Sequence, residues 1–214
     1  MKREIITTKD GSTSLFIPEW NETYHSKHGA IQEAYHVFIK NGLSIFNGKS
    51  VSILEIGFGT GLNFLLSYAH CEEVNRQLNY HSIEAFPLSV ATLNTTGYSN
   101  YVPQKIWDSF NKKYELALAS EIELSGNCRL EINHITLQNF TSNKRYDILY
   151  FDAFSVRHQP ELWTNEVIAH ACSFLKTGGI FVTYAITGNL KRAVKSCGFE
   201  IEKLPGAPGK REML

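Results

Sequence analysis

The stretch that decides the fold is VSILEIGFGTGLNFLL, which runs from Val51 to Leu66. It begins with an apolar, strand-like run and ends with a helix-like run. Between them, glycines stand at every second position, as Gly57, Gly59 and Gly61. Glycine lets the backbone turn sharply and approach a ligand closely, and a helix N-terminus favours phosphate. The stretch therefore predicts a site for a phosphate-bearing or nucleoside-like ligand.

Two carboxylates indicate which ligand this is. The G-x-G-x-G spacing is one residue shorter than the dinucleotide fingerprint G-x-G-x-x-G. Glu55 stands two residues before Gly57, where it would repel a pyrophosphate and suit a ligand with a cationic amino group and a sulfonium. Glu84 ends the next predicted strand, where an acid accepts hydrogen bonds from ribose hydroxyls. These features favour S-adenosylmethionine over NAD.

Strand and helix patterns alternate on both sides of the glycine turn. We predict an N-terminal hairpin turning at Asp10-Gly11 and a helix that ends at Gly42, with Ile31, Ala34, Tyr35, Phe38 and Ile39 on one face. Strands are expected at 51–56, 79–84, 128–134, 146–151 and 178–185, with late strands at 199–205 and 211–214. Helices are expected from about 61, from Pro87, within 103–120, from Pro160 to about 175, and at 188–197. This alternation predicts an α/β fold with helices on both faces of a parallel sheet.

Composition excludes several classes of protein. The 214 residues include 21 Lys and Arg and 21 Asp and Glu, so any nucleic-acid surface must be a local patch. The four cysteines form no CxxC pair, which predicts free thiols. We find no signal-peptide pattern and no apolar run near the ~20 residues that span a bilayer. We expect a cytoplasmic protein without a membrane partner, with a single domain over 1–214 whose residues 1–45 form an N-terminal extension.

A second cluster of candidate residues lies in YFDAFSVRHQPELW, from Tyr150 to Trp163. Asp152 ends an apolar strand, so it faces the same edge of the sheet as the glycine turn. An aspartate before a helix often caps it, but Pro160 begins the helix too far along the chain. A carboxylate beside aromatic rings predicts a site for a base or an amine. His25 and His28 have no carboxylate or cysteine to complete a metal site, so we expect no metal.

Several segments together resemble a known family. They are ETYHSKHGAIQEAYHVFIKNG, EIGFGTGLNFLL, SIEAFPL, YFDAFSVRHQPELWT and PGAPGKREML. They are similar to the methyltransferase domain of the bifunctional tRNA-modifying protein MnmC and its stand-alone counterparts, from about residue 20 onward. The resemblance implies the class I, Rossmann-like methyltransferase fold, a mostly parallel seven-stranded sheet whose last strand is antiparallel. It also implies methylation of the 5-aminomethyl group of the tRNA wobble uridine, usually a 2-thiouridine.

The resemblance assigns expected roles by position. The cofactor loop comprises Glu55, Gly57, Gly59, Gly61 and Asn63, Glu84 is the ribose acid, and Asp152 lies beside the reacting amine. Asn133 and His134 replace the family's Gly-Asp, so either is a candidate for the adenine contact. We expect Tyr24, Phe154 and Trp163 around the flipped-out uracil. Candidate contacts to the tRNA anticodon stem-loop are Arg157, Lys191, Arg192, Lys210 and Arg211.

Two other functions fit the same residues. An aminopropyltransferase of the polyamine-synthase type would use a similar sheet and acid, and a non-catalytic nucleoside-binding module would keep the fold alone. The resemblance also suggests a partner, because the bifunctional protein adds an FAD-dependent oxidase. No second glycine fingerprint for FAD occurs here. We therefore expect no oxidase domain in this chain and a separate oxidase acting upstream.

Overall fold

The chain begins with a small antiparallel sheet. A computed structural model describes all 214 residues. Strands β1 (Glu4–Thr7), β2 (Thr13–Ile17) and β3 (Glu22–Thr23) pair in that order. Gly11 has φ +83°, which confirms the predicted hairpin turn at Asp10-Gly11.

A short helical segment follows and its buried face differs from the prediction. Helix α1 (Ala30–Ala34) continues as a π-helix over Tyr35–Lys40, and a 3-10 turn covers Leu43–Ile45. Ala34, Phe38 and Ile39 are buried, but Tyr35 is 51% exposed and Val37 is buried instead. A π-helix has more residues per turn than an α-helix, so the 3.6-residue period that placed Tyr35 inward fails there.

The central sheet has six strands, five of them parallel to their neighbours. The strands are β4 (Ser50–Ile56), β5 (Gln77–Glu84), β6 (Ile122–Ser125), β7 (Cys128–His134), β8 (Tyr146–Phe151) and β9 (Leu175–Val182), in the order β6-β7-β5-β4-β8-β9. Only β6 is antiparallel, at the edge. The helices are α2 (Leu62–Glu73), α3 (Val90–Thr95), α4 (Gln104–Ala117), α5 (Asn165–Cys172) and α6 (Gly188–Ser196), and 3-10 turns cover Tyr98–Asn100, Leu137–Asn139 and Pro160–Trp163. The predicted α/β class is confirmed.

The last strands correct the expected strand number. Strands β10 (Leu204–Pro205) and β11 (Glu212–Met213) form a separate antiparallel pair, so the sheet has six strands rather than seven. Leu214 exchanges two backbone hydrogen bonds with Thr183, just beyond β9. The C-terminal segment therefore lies beside the end of β9 but pairs with it through Leu214 only.

Helix starts and one strand also differ from the predictions. Helix α3 begins at Val90 rather than Pro87, because the Ser89 side chain accepts the Thr92 N–H and caps it. Pro160 begins a 3-10 turn, and α5 starts later with Thr164 as its cap. Strand β6 was not predicted, since it is only four residues long and buries a single side chain, Leu124. No helix has the length and apolar character that crossing a membrane requires.

The topology brings three strand ends together. Ile56 at the end of β4 pairs with Ile83 of β5 on one side and with Phe151 of β8 on the other. The loops after these strands therefore leave the sheet at one edge, near the centre of the strand order. Ligands of open α/β sheets bind at this kind of position.

Candidate active site

A cavity of about 1040 Å³ lies over this edge. The glycine turn after β4, the loop after β5 and the loop after β8 line one side, and the N-terminal extension lines the other. The predicted site residues that line it are Gly57, Gly59, Glu84, Asp152, Tyr24, Phe154 and Lys210. Its size suits a nucleoside-like ligand together with a second small group.

The glycine turn requires glycine for two different reasons. Gly57, Gly59 and Gly61 have φ of +91°, +52° and +75°, which side chains rarely adopt. At Gly57 a Cβ would also lie 2.7 Å from the backbone oxygen of Asp152. At Gly59 it would lie 3.2 Å from the Tyr24 ring. Gly61 caps α2 beneath the turn and packs against Phe58, outside the cavity lining.

Glu84 is fixed against the turn. Its Oε2 accepts the Gly59 N–H at 2.9 Å and its Oε1 accepts the Phe86 N–H at 2.8 Å. Each carboxylate oxygen has a second lone pair, so the side chain can still accept bonds from a diol in the cavity. His134 lies on the outer side of this loop, where its Nε2 contacts the Ala85 carbonyl at 3.2 Å.

Asp152 and Glu55 share one amide. The Nδ2 group of Asn63, in α2, donates to Asp152 Oδ2 at 2.7 Å and to Glu55 Oε1 at 3.0 Å. Asp152 lines the cavity, whereas Glu55 is fully buried behind it and Asn63 is 3% exposed. Burial raises the pKa of Asp152 to about 7. Burial, followed by the charge of Asp152, raises the pKa of Glu55 well above its ordinary value.

Aromatic rings form the wall beside Asp152. The Tyr24 and Phe154 rings meet edge to face, with centroids 5.0 Å apart. Trp20 packs on Phe154 at 5.4 Å, and His158 stacks on Trp20 at 5.5 Å. Arg3 Nε donates to the Tyr24 hydroxyl at 2.9 Å and so orients the ring. Trp163 lies behind this wall, where its Nε1 donates to the Phe154 carbonyl at 2.8 Å.

Lys210 reaches the cavity from the loop between β10 and β11. Its Nζ lies 2.7 Å from Glu33 Oε1 and 3.8 Å from the centre of the Tyr184 ring. Glu33 Oε2 in turn accepts the Ser26 N–H at 2.8 Å. The lysine is therefore an internal partner of an acid on α1, and its neighbour Arg211 is exposed outside the cavity.

Other predicted site residues lie away from the cavity. Asn133 turns toward the sheet, where its Oδ1 accepts the Nε2–H of His81 at 2.7 Å, because the buried histidine needs a partner. Ile135, Thr136, Leu137 and Gln138, which follow it, line the cavity instead. Arg157 and Arg192 are exposed and Lys191 is half-exposed, all three outside the cavity.

His25 lines the cavity without forming a metal site. Its Nε2 lies 2.7 Å from Thr60 Oγ1, and burial lowers the pKa of the imidazole to about 4. The ring is therefore neutral near pH 7 and holds the glycine turn through Thr60. No local pattern indicates this contact, since the two residues are 35 positions apart.

The raised pKa of Asp152 predicts a pH-dependent stability effect. An acid that titrates higher in the folded protein binds more protons when folded, so the free energy of unfolding falls as pH rises from about 3.8 to about 7. Asp152→Asn removes this loss. The variant is expected to gain more stability over the parent at about pH 8 than at about pH 4, measured by urea unfolding. An equal difference at both pH values would contradict the raised pKa.

Comparison with known proteins agrees with this geometry. A family model of S-adenosyl-L-methionine-dependent methyltransferases matches residues 101–214. The bifunctional protein MnmC of Paraburkholderia xenovorans, named for tRNA 5-methylaminomethyl-2-thiouridine biosynthesis, is 30% identical over 93% of this chain and 32% of its own. The protein of the same name from Acidovorax is 28% identical over 100% of this chain and 35% of its own. This chain thus spans about a third of the length of the curated relatives it matches.

A solved structure shows the same fold. The crystal structure of MNMC2 from Aquifex aeolicus superposes with a TM-score of 0.77 at 24% identity, covering 99% of this chain and 68% of that one. The likeness therefore extends over the N-terminal extension as well as the central sheet.

Proposed function

Because the chain belongs to a family of S-adenosyl-L-methionine-dependent methyltransferases, we propose that it methylates the 5-aminomethyl group of the tRNA wobble uridine, usually a 2-thiouridine. The product is 5-methylaminomethyluridine. The observation that carries the proposal is that Asp152 opens into the same cavity as the glycine turn and Glu84. An acid suited to an amine thus lies beside residues suited to the cofactor. The MnmC relatives are named for the biosynthesis of tRNA 5-methylaminomethyl-2-thiouridine, the thiolated form of this product.

The residues present fit S-adenosylmethionine. Gly57 and Gly59 present bare backbone to the cavity, and Glu84 presents a carboxylate beside them. We propose that Glu84 accepts the ribose hydroxyls and that residues 135–138 surround the base. When bound, the cofactor supplies an activated methyl group on its sulfonium. The protein then has a positioning task, to hold an amine lone pair in line with that methyl group.

We propose that Asp152 binds and orients the reacting amine. A protonated amine has no lone pair and cannot attack, so the amine must be neutral when it reacts. Asp152, whose pKa is about 7, can accept a hydrogen bond from the amine and orient it near neutral pH. As the new bond forms, positive charge develops on nitrogen, and a fixed carboxylate stabilises it.

The aromatic wall suits a flipped-out base. Tyr24 and Phe154 line the cavity beside Asp152, and stacking on such rings is worth roughly 1–3 kcal/mol per base. A wobble base lies in a single-stranded loop, so extruding it breaks no base pair. We propose the tRNA anticodon stem-loop as the partner, with phosphate contacts from exposed basic residues such as Arg157 and Arg192.

The amine also defines the preferred substrate. A carboxymethylaminomethyl group is already a substituted amine and is bulkier than an aminomethyl group. We therefore propose that a separate FAD-dependent oxidase removes the carboxymethyl group before this chain acts.

An acceptor panel tests this function against the polyamine alternative. The protein is incubated with labelled S-adenosylmethionine and either tRNA carrying 5-aminomethyluridine, tRNA carrying 5-carboxymethylaminomethyluridine, or putrescine. A parallel set contains the decarboxylated cofactor. We expect label only in the aminomethyl tRNA. Transfer of an aminopropyl group to putrescine, or methylation of the carboxymethylated tRNA without an oxidase, would contradict the proposal.

A further inference from the structure

Asp152, in the cavity wall, and Glu55, buried behind it, form a carboxyl pair that has no cation of its own. Glu55 is fully buried and makes no salt bridge, and Lys210, the cation whose charge acts on Asp152, has its ammonium group 2.7 Å from Glu33. Asp152 shares the Asn63 amide with Glu55. Two ionised carboxylates on one amide, without a cation, would be very costly in a buried site. The pair must therefore hold a proton.

The hydrogen bonds of Ser82 indicate where the proton lies. Ser82 Oγ is 3.2 Å from the Glu55 carbonyl oxygen and 3.2 Å from Glu55 Oε2. A serine hydroxyl has one hydrogen, so it can donate to only one of these acceptors. Both contacts are hydrogen bonds when Ser82 donates to the carbonyl and Glu55 Oε2 carries a proton that it donates to Ser82.

We propose that Glu55 is an uncharged positioning residue, and that the single negative charge of the Glu55–Asn63–Asp152 unit lies on Asp152 at the cavity surface. Asn63 then gives its charge-assisted bond to Asp152, in keeping with the shorter distance of 2.7 Å against 3.0 Å. Neutral Glu55 holds the other side of the same amide. The sequence suggested that Glu55 attracts a cationic ligand by charge, and the geometry points to a different role.

The other polar and charged groups around the Glu55–Asn63–Asp152 unit are consistent with a single negative charge on Asp152. Tyr80 on β5 lies beside Glu55, and burial raises the pKa of its hydroxyl, so the side chain is neutral and supplies no cation. Glu33 on α1 and Lys210 form their own pair, and Tyr184 after β9 lies beside them. The charge of Glu33 raises the pKa of Asp152 and that of Lys210 lowers it. Burial is the larger cause for both Asp152 and Glu55.

The charge state of Glu55 affects catalysis only if the chain methylates an amine, so this part of the inference rests on the proposed function. A neutral Glu55 leaves Asp152 as the only acid of the unit that changes charge near neutral pH. An ionised Glu55 would instead keep Asp152 protonated and unable to accept a hydrogen bond from the amine through both oxygens. The unit therefore orients one charged carboxylate toward the acceptor.

Infrared spectroscopy of the free protein tests the charge state without any tRNA. At about pH 8 we expect the C=O band of a protonated carboxyl group, and Glu55→Gln should remove it. Glu33→Gln is the matched control, because Glu33 is a buried glutamate with a cationic partner, and this variant should keep the band. No such band in the parent protein, or a band that survives Glu55→Gln, would overturn the proposal even if the tRNA methylation is confirmed.

Variant kinetics test the positioning role. Glu55→Ala should lower kcat about tenfold, because Asn63 loses its second partner and Asp152 loses its orientation. Glu55→Gln, which is neutral and of the same size, should recover most of that loss. A glutamine variant as slow as the alanine variant, with an intact fold by circular dichroism, would show that the charge of Glu55 is required.

Discussion

Replacing Asp152 with asparagine is expected to lower kcat for tRNA methylation about 100-fold. Asparagine has nearly the same size and can keep a contact with Asn63, but it carries no charge to stabilise the positive nitrogen that forms during transfer. Its amide NH₂ also competes with the amine as a donor. Cofactor binding should change little, because Glu84 and the glycine turn are untouched. Single-turnover methylation and calorimetric titration with S-adenosylmethionine measure the two effects separately.

The control for this variant is Asp108→Asn. Asp108 is an exposed aspartate on α4 that accepts a bond from Gln104 at 2.8 Å, away from the cavity. The Asp108→Asn variant should keep the methylation rate and the cofactor affinity of the parent protein. Near-normal turnover by Asp152→Asn would mean that the amine binds elsewhere and that the site has been misassigned.

Gly57→Ala is expected to weaken cofactor binding at least tenfold and to lower turnover as well. The new Cβ would lie 2.7 Å from the Asp152 carbonyl oxygen, and backbone cannot move aside as a flexible side chain can. The strand end carrying Asp152 must therefore shift, and the turn must leave φ +91° or remain strained. One methyl group should thus disturb the cofactor loop and the acid together. Calorimetric titration with S-adenosylmethionine gives the affinity.

Gly198→Ala separates backbone strain from the clash. Gly198 has φ +88°, close to that of Gly57, but an added Cβ there would meet nothing within 4 Å. It should lose some stability through strain and keep full cofactor affinity. Equal loss of affinity in both variants would show that general destabilisation, rather than the contact with Asp152, explains the result at Gly57.

The parts of the site that follow strand ends could be predicted from the sequence. Gly57, Glu84 and Asp152 each stand at or directly after the end of a predicted strand, and a parallel sheet brings the carboxyl ends of its strands to one edge. The alternation of strands and helices predicted the sheet for the same reason, because it is a local periodicity. The six-strand count was not predicted, since the pairing of Leu214 with Thr183 depends on how a terminal loop packs.

Contacts between distant segments could not be predicted. Trp20, His25 and Glu33 reach the cavity only because the N-terminal extension folds over it, and the pairing of Lys210 with Glu33 spans 177 positions. Asn133 was one of two candidates for the adenine contact, but its side-chain oxygen accepts a hydrogen bond from buried His81 instead. Such hydrogen-bond pairings depend on which polar groups are buried together, and a local sequence pattern does not contain that information.

The most direct test is mass analysis of the wobble nucleoside. tRNA carrying 5-aminomethyl-2-thiouridine is incubated with the protein and S-adenosylmethionine, digested to nucleosides and compared with a reaction containing Asp152→Asn. We predict that the aminomethyl nucleoside disappears with the parent protein and that its methylaminomethyl form appears in equal amount, about 100-fold more slowly with the variant. An unchanged wobble nucleoside after reaction with a folded, cofactor-binding parent protein would contradict the account.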